Sequence, residues 1–195
     1  MTSTGDRPDA AGAGVPPTPD ADDKDWTWVL QQPCAECGFD AELLERGQIA
    51  EVVRRTAVVW QEVLADPDVR RRPSPTVWSP LEYAAHCRDV YELFGARVRL
   101  MLHSADPQFA NWDQDVTALE KRYWEGEPDV VASELTAWAG SAAEIFDAVG
   151  DDEWVRTGRR SNGSIFTVET LGKYFVHDLV HHLHDVGRPL IPNGN

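Results

Sequence analysis

Trp78-Ser79-Pro80-Leu81-Glu82-Tyr83-Ala84-Ala85-His86 is the stretch that decides the fold class. Serine, proline and then glutamate at the third helical position make a complete helix start. The serine hydroxyl accepts from the amide of the glutamate, the glutamate reaches back to the serine amide, and proline pre-sets φ where no amide is needed. Beyond it, Tyr83, Val90, Phe94, Val98 and Met101 recur at helical spacing as far as His103. His86 and Arg97 fall inside that apolar sector, while Arg88, Asp89 and Glu92 lie opposite it or on its margin. A buried basic side chain is costly unless paired or coordinated, so His86 requires a partner from elsewhere in the chain.

Three more long helices and a short one are legible on either side. Asp40 is a suitable N-cap for a helix running through ELLERGQIAEVVRRTAVVWQEVLA to Ala65. A polar, proline-containing link leads from there to Ser79. After a loop, a short helix is expected over Val116 to Trp124, then a long one from Pro128 to Gly150. The link WVRTGRRSNGSIF is rich in turn residues, and a last helix runs from Thr167 to Gly187, with Arg188 and Pro189 beyond it. No alternating strand pattern of convincing length competes. The expected architecture is all-α, a four-helix bundle over residues 40–190.

Bulk properties narrow the function. The chain has 195 residues, enough for one domain with a sizeable core and a tail. Residues 1–24 offer almost nothing to bury and are expected to be a disordered tail. Residues 25–39 form a lead-in that carries Cys34 and Cys37. A net charge of −15 repels phosphate backbones and anionic lipid, so neither nucleic acid nor a membrane is expected as a partner. No basic start followed by an apolar run marks a secretory signal, and three cysteines do not make a disulfide framework. The expected location is the reducing cytoplasm. A homodimer stays open.

Four of the six histidines lie in His177-Asp178-Leu179-Val180-His181-His182-Leu183-His184. At about 100° per residue, His177, His181 and His184 share one arc of the last helix, and His182 points away from them. An i, i+4 histidine pair offers two nitrogens to one metal ion. With an inward His86 from an earlier helix, the pair makes a neutral three-imidazole set with room for water or substrate, the open arrangement of catalytic sites.

Trp78-x3-Glu82-x3-His86, followed far downstream by His177-x3-His181, resembles the DinB-like superfamily over about residues 40 to 187. That resemblance implies a four-helix bundle with a metal between helices, and His86, His177 and His181 as its three ligands. It also implies a divalent-metal-dependent S-transferase or isomerase that uses a low-molecular-weight thiol, as mycothiol-dependent maleylpyruvate isomerase does. The Ala-, Asp- and Arg-rich composition is similar to that of high-GC bacteria that make mycothiol, which makes mycothiol the favoured cosubstrate. Zinc is the first choice of ion, with nickel, iron and manganese also accepting imidazole. The segment Pro33 to Asp40 departs from the common pattern and is similar to an extension of an actinobacterial-type subset.

Several residues keep more than one reading. Cys34-x-x-Cys37-Gly38 is half a zinc knuckle, a redox pair or a structural turn; a closed structural zinc needs four ligands, and no second C-x-x-C exists. Cys87 lies about 100° round the helix from His86 and is expected to pack. Arg97 either anchors a carboxylate or pairs with an acidic side chain of a neighbouring helix. Trp112, Asp113 and Asp115 line a ligand pocket or simply cap and pack. Asp178 and Asp185 are candidate acceptors for imidazole N–H groups, the usual support of a metal-bound histidine. Against the enzyme stands a non-catalytic metal-binding module for stress response or protein interaction. An open coordination position beside a pocket of roughly 300 Å³ or more separates the two.

Overall fold

The computed structural model describes residues 15–19 and 24–190. Most of the expected disordered tail therefore lies outside the described residues. The part that is described lies against the link before the second long helix, where Arg72 Nη1 donates to the Pro17 carbonyl at 2.7 Å.

Among the described residues, five α-helices and three short strands make the fold: α1 (Ile49–Leu64), α2 (Pro80–His103), β1 (Gln108–Phe109), α3 (Gln114–Glu120), α4 (Pro128–Asp147), β2 (Thr157–Arg160), β3 (Ile165–Thr167) and α5 (Val168–Asp185). The four long helices form the bundle. Both α1 and α2 pack against α4 and against α5, whereas α1 and α2, neighbours in sequence, touch little. Trp60, Tyr91, Met101, Leu135 and Phe175 are fully enclosed between them. Phe94 stacks on Phe175 with centroids 5.0 Å apart, and Thr56 Oγ1 lies 2.7 Å from Tyr91 Oη, which gives both hydroxyls a partner.

Helix starts follow the capping chemistry. Ser79 accepts from the Glu82 amide at 3.3 Å and Glu82 Oε2 accepts from the Ser79 amide at 2.8 Å. Glu82 is almost fully buried, and its charge is matched by Arg72, whose Nε donates to Oε2 at 2.8 Å. Thr167 caps α5 in the same way through Thr170, and Gly187 ends it at φ +70, a left-handed turn that glycine adopts without strain. Among the described residues no helix is long and apolar enough to cross a membrane.

Two expectations need correction. Asp40 does not cap α1: its carboxylate accepts from the Glu42 amide in a local turn, and a 3₁₀ turn over Arg46–Gln48 leads into a helix that begins at Ile49. Gly47, a poor helix former, stands just before that point. The link after α4 is not only turns. β2 and β3 pair antiparallel around Asn162-Gly163, with Gly163 at φ +96, and β1 joins β2 in parallel. Thr157-Gly158-Arg159-Arg160 has no apolar alternation because the sheet is small and one strand position is held by glycine. A Cβ on Gly158 would stand 2.7 Å from Met101 Cγ and 2.8 Å from Phe109 Cε1.

Candidate metal centres

One helix supplies donors to two clusters. Residues four apart share a face of a helix, and the next such pair along is turned by about 100°. On α5 the pair His177/His181 faces the lead-in segment, and the adjacent pair Asp178/His182 faces α2. Among the described residues, Cys34, Cys37, His177 and His181 bring one donor atom each within 4.8 Å of one another, and His86, Asp178 and His182 do the same separately. Neither cluster holds all three of the expected ligands His86, His177 and His181. His86 meets the neighbouring pair, which includes the histidine read as pointing away.

In the cluster on α2, His86 Nε2 lies 3.5 Å from Asp178 Oδ1, and His182 Nε2 lies 3.6 Å from the same oxygen. The rings of His86 and His182 meet edge to face with centroids 4.7 Å apart. His86 is fully enclosed, with Trp112 stacked on it at 5.3 Å and Trp78 at 5.4 Å. Both His86 ring nitrogens and Asp178 Oδ1 are buried without a hydrogen-bond partner. Of these, His86 Nε2 and Asp178 Oδ1 face one another across a gap that fits a cation, and such orphaned atoms are costly otherwise. Burial pushes the His86 imidazole below its ordinary value and so favours the neutral, ligating form. Burial alone would raise the Asp178 carboxyl, but His86 and His182 beside it bring it down to about 2. The set is therefore two imidazoles and one carboxylate.

In the cluster on the lead-in, Cys34 Sγ is 3.7 Å from His181 Nδ1. His181 Nε2 lies 3.5 Å from Glu36 Oε2 and 3.8 Å from Asp185 Oδ1. Burial, with His181 alongside, lowers the His177 imidazole to about 4, and its Nε2 is buried without a hydrogen-bond partner. Burial pushes the Cys37 thiol up to about 12, and the neighbouring Cys34 adds to the rise. Trp26, in a 3₁₀ helix over Trp26–Leu30, lays its ring across His177 and His181 at 5.5 and 4.8 Å. His184 stays exposed at 42% and belongs to neither cluster. Cys87 is packed, as expected.

Both clusters border one cavity of about 760 Å³, lined among others by Asp178, His182, Trp112, Arg97, Arg160 and Tyr174. Arg97 forms no ion pair with an acidic side chain among the described residues. It donates from Nη2 to the Ala110 carbonyl at 3.1 Å and lies against the rings of Phe94 and Phe109. Burial, with Arg160 nearby, lowers it to about 10, and the Nε atoms of both arginines are buried without a hydrogen-bond partner. Asp113 serves as the N-cap of α3, accepting from the amides of Asp115 and Val116, and still faces the cavity. Asp89, read as marginal, is buried: Tyr123 Oη donates to it at 2.5 Å and Lys121 Nζ lies 3.0 Å away.

A family description, the DinB superfamily, matches residues 48–186. Cys34 and Cys37 lie outside that span. Among solved structures, YfiT from Bacillus subtilis is similar with a TM-score of 0.61 and 20% sequence identity, over 73% of this chain and 84% of YfiT. YfiT is described as "a probable metal-dependent hydrolase with an unusual four-helix bundle topology". At this identity the likeness establishes a shared fold. No curated protein sequence matches the chain.

Proposed function

Because the chain belongs to the DinB superfamily, we propose that it is a divalent-metal-dependent enzyme that joins a low-molecular-weight thiol, such as mycothiol, to an electrophile or uses that thiol to isomerise one. His86, Asp178 and His182 would hold the metal. The observation that carries this reading is an incomplete ligand set at the edge of a large cavity. Three protein donors leave a position for a substrate atom, whereas structural sites are closed by four. The cavity of about 760 Å³ is of a size that suits a thiol and a second small molecule. A non-catalytic module needs neither.

When bound there, a divalent metal supplies positive charge that favours thiolate over thiol at neutral pH. The residues of the chain do the rest. Asp178 and the two imidazoles fix the donors on two rigid helices, which suits a site that must hold its geometry. Trp78 and Trp112 keep water from His86. Arg97, buried, and Arg160, half-buried, put positive charge on the cavity wall, with their Nη2 groups bonded to the neutral oxygens of Ala110 and Asn111. Such a wall suits a carboxylate-bearing electrophile or the polar part of the thiol.

The test is consumption of mycothiol by the purified chain in the presence of a model electrophile, with and without chelator. Chelator-sensitive thiol loss supports the reading. Turnover of an ester or amide with no thiol present would replace it by a hydrolase.

A further inference from the structure

We propose that Cys34, Cys37, His177 and His181 form a second metal site, a closed zinc site that pins the lead-in segment to α5. Its ligands are separate from those of the three-donor site, and it takes no chemical part in any reaction carried out there.

The ligand set is complete. Two thiols and two imidazoles converge within 4.8 Å, and Cys2His2 is an established tetrahedral zinc set. With Zn–S near 2.3 Å and Zn–N near 2.0–2.1 Å, the S···N edge of such a tetrahedron is about 3.6 Å. Cys34 Sγ and His181 Nδ1 are 3.7 Å apart although 147 residues separate them.

The local backbone has the shape of a metal knuckle. The Gly38 amide donates to the Cys34 carbonyl at 2.8 Å, and the Cys34 amide donates to the Phe39 carbonyl at 2.8 Å. Gly38 itself stands at φ +75, a turn favouring glycine, which lets the chain fold back so that both sulfurs face one way.

Supporting contacts are in place too. With Nδ1 of His181 turned to Cys34, Nε2 faces the Glu36 carboxylate at 3.5 Å, an outer acceptor that would fix the tautomer of a ligating ring. The His177 Nε2 atom is buried with no partner of its own. Two thiolates would balance a doubly charged ion, so a filled site adds no net charge to the core. A redox pair explains the two cysteines but not the two histidines that meet them.

The consequence is positional. The lead-in carries Trp26, which covers His177 and His181 and lines the cavity. A closed zinc here would hold one wall of the neighbouring site in place.

The experiment uses the full reduced chain. Loaded with cobalt(II), the wild type is expected to show the strong sulfur-to-cobalt charge-transfer absorption and the intense visible bands of a tetrahedral ion. Elemental analysis of the zinc form is expected to give two metals per chain, falling to one in Cys34→Ser and in Cys37→Ser. His86→Ala is expected to lose a metal yet keep the thiolate band, which separates failure of this site from failure of the other. Zinc should slow alkylation of Cys37 at least tenfold, a readout that needs no variant to fold. A cobalt-loaded wild type without thiolate absorption would overturn the proposal, as would alkylation at the same rate with and without zinc.

Discussion

Asp178 Oδ1 lies 3.5 Å from His86 Nε2, and both atoms are sealed from solvent without a hydrogen-bond partner. The carboxylate is the donor that distinguishes this cluster from a set of imidazoles. Asp178→Asn keeps the shape but removes the charge and one lone-pair donor. Metal held with His86 and His182 is expected to weaken at least about 100-fold, beyond the loss of an outer supporting contact. Competition against a chromophoric chelator measures it, and an unchanged affinity would remove Asp178 from the ligand set.

Arg97 is expected to act on substrate affinity. Arg97→Gln preserves volume and a donor but removes buried charge from the cavity wall. KM for a carboxylate-bearing electrophile should rise about tenfold, consistent with the loss of one charge-assisted hydrogen bond of about 1.5–3 kcal/mol, while a neutral electrophile is unaffected. Equal losses with both would mean that Arg97 only holds the Ala110 carbonyl.

Glu82 combines a helix cap with the match to Arg72. Glu82→Ala leaves a nearly buried guanidinium without its partner and the Ser79 amide without its acceptor. A cost of about 3–5 kcal/mol is expected from breaking a buried pair, read from urea unfolding. Because α2 starts there and carries His86 one turn on, metal affinity should fall with stability. A loss under 1 kcal/mol would show the pair to be incidental.

Acid should uncover the role of Asp89. Burial pushes its carboxyl up, but Arg88, Tyr123 and Lys121 more than reverse this and hold it below the usual carboxylate range. A folded value below the unfolded one, about 3.9, stabilises the fold above that pH, and the contribution fades as pH falls through the folded value. Asp89→Asn should therefore cost about 1–3 kcal/mol near neutrality and progressively less below about pH 4. Denaturant melts across that range decide it; a gap independent of pH would assign the loss to packing.

Gly158 tests the small sheet. Its missing side chain admits Met101 and Phe109, and neither Met101 Cγ nor the phenyl ring can swing clear cheaply. Gly158→Ala should destabilise by about 1–3 kcal/mol through overpacking, seen as a lower Tm. An unchanged Tm would show that the strand shifts freely.

The sequence by itself determined the helices whose ends are local chemistry: Ser79 with Glu82, Thr167, Pro128 and Gly187 need no distant partner to mark a start or stop. It also made His86 an inward residue and α5 a helix of paired donors. What the tertiary structure decided is which pair meets which partner. His177/His181 and Asp178/His182 have identical spacing and differ only by a rotation of about 100°, so no local pattern can choose between them. The choice depends on how α5 is turned between α2 and the lead-in, which is set by packing of Phe175, Leu179 and Leu183 in the core. The second half of the Cys34–Cys37 knuckle was hidden for the same reason: its partners come from the far end of the chain, and only folding puts them within reach.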